Sequence, residues 1–173
     1  MNMNKIYSWK LNFEKMMRAI ECAYERISES SRLKLNPATT YQRKFSERIT
    51  QEVTGAFGEL AVIDFFKIKQ DPHVNTFHKV ADVLEDIEVR STNYKNGHLI
   101  LRDNDNPNRK YIFCTVDYDA VRLIGWINGK DGMIPEYYRS EEKTKSMFKN
   151  PKAVRPAWFV PQDALLDMKD FKI

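Results

Sequence analysis

Three carboxylates and a guanidinium, Glu59, Asp82, Glu88 and Arg90, are the only residues whose types and order suggest chemistry. Glu88 and Arg90 are two positions apart. On a strand both therefore leave the same face, with Cα atoms about 6.6 Å apart at ~3.3 Å rise per residue, and can act on one substrate. Asp82 reaches that face only through the turn between them. A three-residue loop of Leu84, Glu85 and Asp86 pairs Val83 with Ile87 and sets Asp82 opposite Glu88, with Cβ atoms ~4.5–5.5 Å apart. A two-residue loop at Glu85 and Asp86 pairs Asp82 with Val89 and sends the two acids to opposite faces.

Two carboxylates that converge this closely repel unless a cation or a proton lies between them. Mg²⁺, or Mn²⁺ in its place, suits such a pair. It is a hard ion held by one or two carboxylates, with water and substrate phosphate completing its shell. There it lowers the pKa of a water and neutralises charge that develops on a phosphate. Glu59 offers a third acid to the metal or its water shell, and Val89 a backbone carbonyl. Arg90 is charged at any working pH, so it can hold a phosphate but cannot remove a proton.

The elements that must carry these residues follow from periodicity. Phe13, Met16, Met17, Ile20, Ala23, Tyr24 and Ile27 recur at helical spacing and predict an amphipathic helix over 12–29. Their stripe reads as core or as a homodimer contact. Asn36 and Pro37 lie in an expected connector. A second helix, from Phe45 through Phe65, carries Glu59 and tolerates Gly55 and Gly58, each costing about 1 kcal/mol relative to alanine, which implies a packing or functional reason for both, close approach of the sheet first. From Val80 the period becomes alternating. Strands are expected at 80–84, 87–92, 99–101, 111–116 and 121–127, three or four of them in a mainly antiparallel meander. Residues 129–156 read as a polar surface excursion with a weak helical pattern. Residues 157–173 read as a buried strand and a short helix opened by Pro161. Helices followed by strands indicate an α+β or mixed α/β chain, here one domain with a core over 44–128.

The 173 residues are 42% hydrophobic and 30% charged, the balance of an ordinary folded protein and not of a disordered one. The formal charge of +4 is compatible with an anionic partner such as nucleic acid, but 28 basic residues face 24 acidic ones. Lys143, Lys145, Lys149, Lys152 and Arg155, interleaved with Phe148 and Trp158, either grip a phosphate backbone or form a solvated loop. Cys22 and Cys114 show no metal-ligand spacing with each other or with His73, His78 and His98. A reduced cytoplasmic protein is the simplest expectation. No signal core and no membrane-spanning run is evident. Glu52 and Asp64, on the helix of Glu59, read as exposed charges, and Asp103 and Asp105 as part of an Asn/Asp-rich turn.

The order Glu59, Asp82, Glu88-Val89-Arg90 resembles the PD-(D/E)XK nuclease superfamily. In particular it is similar to small phage-encoded members in which an Asp-Val turn precedes Glu-Val-Arg-Ser/Thr. Gly125-Trp126 and Trp158-Phe159-Val160-Pro161-Gln162 extend the likeness over about 54–165. The resemblance implies a restriction-endonuclease-like core, a mixed and mainly antiparallel sheet of four to six strands flanked by helices, with an N-terminal helical extension. It also implies Mg²⁺-dependent hydrolysis of DNA phosphodiesters inside a bacterial host cell, with Asp82 and Glu88 as metal ligands, Glu59 assisting and Arg90 stabilising the phosphate. DNA is the expected partner, though RNA meets the same description. Two departures stand out: Ala81 replaces the proline before the aspartate, and Arg90 replaces the usual lysine. The second leaves open an alternative, a nucleic-acid-binding or regulatory protein on the same scaffold that does not cut.

Overall fold

The computed structural model describes residues 6–33, 44–72, 80–147 and 155–173. Its element order is β1 (Tyr7–Lys10), α1 (Phe13–Arg32), α2 (Phe45–Phe66), β2 (Ile87–Thr92), β3 (Leu99–Leu101), β4 (Lys110–Val116), β5 (Ala120–Asn128), α3 (Gly129–Gly132), β6 (Tyr138–Arg139), α4 (Glu141–Met147) and β7 (Ala157–Val160). The fold is α+β. A mixed four-stranded sheet in the order β1-β5-β4-β2 carries two antiparallel pairings and one parallel pairing, β2 with β4. A second, antiparallel sheet has the order β3-β7-β6.

The strands of the first sheet bury both faces. Along β4, Ile112 and Cys114 point to a core shared with Ala56, Leu60, Ala61 and Ile63 of α2. Tyr111 and Phe113 point the other way, against Leu99 and Leu101 of β3 and Val160 of β7. Full burial of side chains this size is worth roughly 1.5–3 kcal/mol each. The β4/β5 register shifts between Phe113 and Cys114 because Ile124 is an extra residue on β5. That bulge reverses the alternation, so Val121 and Leu123 face the helices whereas Ile124 and Ile127 face the second sheet. Gly125 follows it because the chain at 165–166 crosses there: an added Cβ would lie 2.6 Å from Leu166 O.

Several expectations from the sequence are corrected. The antiparallel meander fails because β3 leaves the sheet to pair with β7, which lets β4 return beside β2 in parallel. Residues 80–84 form no strand, only a bridge at Val83. Strand β1 was not expected at all, since four residues with one buried side chain, Trp9, give almost no periodicity. Helix α1 starts where Asn12 accepts the Lys15 N–H at 2.9 Å and runs through the serines to Arg32. Ser30 is buried there and Ser31 Oγ donates to Ile27 O, so these residues extend the helix.

Most of the apolar stripe of α1 is not core, Ala23 being its buried member. Phe13 and Tyr24 are 75% and 71% exposed, and the buried face is the small-residue set Ala19, Cys22 and Ala23, which lets α1 lie close to the rest of the fold. Within 129–156, expected as surface, α3 buries Gly132 against Leu101 and Val160, and β6 pairs with β7. After Pro161 the chain makes two short 3-10 turns, Gln162–Ala164 and Met168–Asp170, in place of the expected helix. No described helix is long and apolar enough to cross a membrane.

Candidate active site at the edge of the sheet

The turn before β2 adopts the three-residue form. Val83 and Ile87 exchange both backbone hydrogen bonds, 3.0 and 3.2 Å, around Leu84, Glu85 and Asp86. Leu84 sits at φ 54°, the left-handed region that a side chain with a Cβ adopts at a cost. Lys110, at the start of β4, pins the loop twice: its N–H donates to Asp86 O at 2.8 Å and its Nζ to Asp86 Oδ2 at 2.8 Å.

This register brings Asp82 alongside β2. Its Oδ2 accepts the Val89 N–H at 2.8 Å and lies 3.9 Å from Arg90 Nη1. The same Nη1 is 3.2 Å from Glu88 Oε2, so one guanidinium bridges the two acids. Glu88 is 4% exposed, and its Oε1 also accepts a short hydrogen bond from Arg109 Nη1. Burial, then the nearby Asp82, raises the Glu88 carboxyl above its usual range, while Arg90 and Arg109 oppose the shift. Nη2 of Arg90 donates to Asp105 Oδ1 at 2.8 Å, and the other Asp105 oxygen accepts the Arg102 N–H at 2.9 Å. Burial works against the charge on Arg90, and Asp105, Glu88 and Asp82 outweigh it.

Glu59 approaches from α2 and is also buried, 5% exposed. Both its oxygens are engaged by Arg26 of α1, at 2.9 and 2.5 Å. Burial pushes its carboxyl up to about 7; Arg26 lowers it, and Asp82, near enough to be felt, adds to the rise. Helix α2 comes close to β2 at Gly58, where a Cβ would stand 1.8 Å from Ser91 Oγ and 3.2 Å from Val89 Cγ1. Gly55 has no such neighbour, its nearest atom being Arg26 Nη1 at 3.8 Å. The expectation of a packing role thus holds for Gly58 and not for Gly55.

Asp82, Glu88 and Arg90 are brought together, and Glu59, held by Arg26, is near enough to feel the charge of Asp82. Among the described residues no group of three or more His, Cys, Asp or Glu side chains stands ready to hold a metal. The donor chemistry nevertheless fits a hard divalent ion at the Asp82–Glu88 pair. The two carboxylates already share a cation, Arg90, and of Asp82 only Oδ2 is used in these contacts. Both oxygens of Glu59 are on Arg26, as those of Glu88 are on Arg90 and Arg109, so an ion at the Asp82–Glu88 pair would take the place of Arg90 Nη1 between them.

Part of the basic segment falls within the described residues. Lys145 is on α4, paired with Glu141 at 2.6 Å, Lys143 is exposed on the same helix, and Arg155 is exposed just before β7. Lys149 and Lys152 fall outside the described residues, as do His73 and His78. His98 packs edge-on against Phe159. Asp64 is exposed and accepts the Trp9 indole N–H at 2.7 Å. Cys22 and Cys114 are buried and free.

Sequence reasoning missed Arg26, Arg109 and Tyr111, whose ring lies under the Arg90 guanidinium at 5.4 Å. Arg109 stands directly before β4, and the parallel β2/β4 pairing that carries it to Glu88 leaves no local signal. Comparison with known proteins finds no matching family model, no similar curated protein and no similar solved structure.

Proposed function

We propose that this protein is a divalent-metal-dependent nuclease that hydrolyses DNA phosphodiester bonds on a restriction-endonuclease-like core of the PD-(D/E)XK type. The observation that carries the proposal is the three-residue turn that seats Asp82 beside Glu88, with Arg90 Nη1 between them. Asp82 and Glu88 would hold Mg²⁺ or Mn²⁺, which when bound supplies an acidified water and neutralises charge on the phosphate. Arg90 binds and orients the scissile phosphate and stabilises its added negative charge. Glu59, kept in place by Arg26, would assist from the helix side.

Arg90 cannot be the base, because a guanidinium stays protonated at every working pH. Its role is confined to charge and geometry. The test is cleavage of supercoiled plasmid by the purified protein in Mg²⁺ or Mn²⁺. Asp82→Ala and Glu88→Ala each abolish nicking while the circular dichroism spectrum is retained. Undiminished nicking by both variants refutes the assignment.

A second reading, nucleic-acid binding without cleavage, is supported by one observation: Arg90 is already shared by Asp82, Glu88 and Asp105. It expects DNA retention and no turnover on linear, nicked, branched and single-stranded substrates. Glu88-dependent turnover on any of them eliminates it.

A further inference from the structure

The turn that positions Asp82 is held from its outer side by one carboxamide. Val83 uses its N–H and C=O on Ile87. In extended chain the neighbouring backbone groups point the opposite way, so Asp82 O and Leu84 N face away from β2 and require other partners. Gln70 supplies both. Its Nε2 donates to Asp82 O at 3.1 Å, and its Oε1 accepts from Leu84 N at 3.0 Å. One planar amide thus acts as a strand partner for a segment that has none.

Gln70 reaches this place because α2 ends four residues earlier, at Phe66. Lys67 closes the helix at φ 54°, and Ile68 N returns to Ile63 O at 3.0 Å.

We infer that Gln70 is a positioning residue for the acidic pair, selecting the odd turn and thereby the face on which Asp82 stands. The alternative two-residue hairpin needs the Leu84 N–H for a bond to Ile87 O, and Gln70 occupies that N–H. It also braces Leu84 in its left-handed backbone, a conformation that persists only where the surroundings over-determine it. Few side chains can take its place, since a carboxamide offers a donor and an acceptor side by side in one plane on a flexible stem. The consequence for metal binding rests on the reading of Asp82 and Glu88 as the metal-holding pair.

The experiment compares the full chain with Gln70→Met, similar in length and without hydrogen bonds, and with Gln70→Glu, which keeps the acceptor and loses the donor. Amide hydrogen exchange at Leu84 and Val89 is measured alongside Mn²⁺ titration. Both variants remain folded, because Gln70 is only partly buried. In Gln70→Met, exchange at Leu84 quickens, and so does exchange at Val89, whose N–H is bonded to Asp82. Mn²⁺ affinity falls about 10-fold or more, as on losing a group that orients a metal ligand. Gln70→Glu is intermediate at Leu84. Wild-type exchange at both amides in Gln70→Met overturns the inference, whatever the metal data show. If the unmodified protein binds no Mn²⁺ but exchange responds as described, the metal reading fails and the positioning role stands.

Discussion

Val83 and Ile87 exchange both of their backbone hydrogen bonds, and that single pairing decides on which face Asp82 stands. A shift of one residue would keep every side chain and lose the juxtaposition with Glu88. The site is therefore a matter of register before it is one of residue type.

The carboxyl of Glu59 makes stability depend on pH in an unusual direction for an acid. Its value is raised from 4.5 to about 7 by burial, so the folded state binds a proton more tightly than the unfolded chain. The resulting stabilisation is full below about 4.5 and is lost as pH rises through about 7. The raised Glu88 carboxyl adds in the same direction. Urea unfolding at pH 5 and pH 8 should show lower stability at the higher pH by up to ~3 kcal/mol, and Glu59→Gln should flatten the dependence. A wild-type slope unchanged in Glu59→Gln would contradict this.

The two glycines of α2 should separate cleanly. Gly55→Ala meets only Arg26 Nη1 at 3.8 Å and gains helix propensity, raising stability by up to ~1 kcal/mol. Gly58→Ala drives a methyl group into Ser91 and Val89 and should cost about 1–3 kcal/mol, because α2 must move off β2. Chemical denaturation of both variants measures the contrast, and equal effects would contradict a cost for the close approach at Gly58.

Arg90 ties buried carboxylates together. Arg90→Met leaves Glu88 and Asp105, each with side chains 5% exposed, without a shared cation and should destabilise by about 3 kcal/mol. Arg90→Lys restores charge but not the two-sided contact, since one ammonium cannot match the fork that meets Glu88 and Asp105, and should recover only part of the loss. Full recovery in Arg90→Lys urea curves would show that charge alone matters there.

How far the sequence could be read follows from where each signal lies. The helix over 45–65 and the strands at 87–92 and 99–101 were legible because periodicity is local. Even the turn was legible, as one of two alternatives whose consequences for Asp82 could be stated. What chose between them, Gln70 and Lys110, lies on either side in sequence and acts through backbone bonds that no side-chain pattern records. Arg26 lies between the apolar positions of α1 with no local mark of a partner, and only packing of α1 on α2 turns it toward Glu59. The stripe of α1 misled for the converse reason: large apolar residues recur at helical spacing, but small ones form the buried contact.

The most direct measurement is a crystal soaked in Mn²⁺ and measured for anomalous scattering. The account predicts a peak shared by the carboxylates of Asp82 and Glu88, lost in Glu88→Ala. A saturating soak with no peak at that pair, and Arg90 still bridging the two acids, would contradict it.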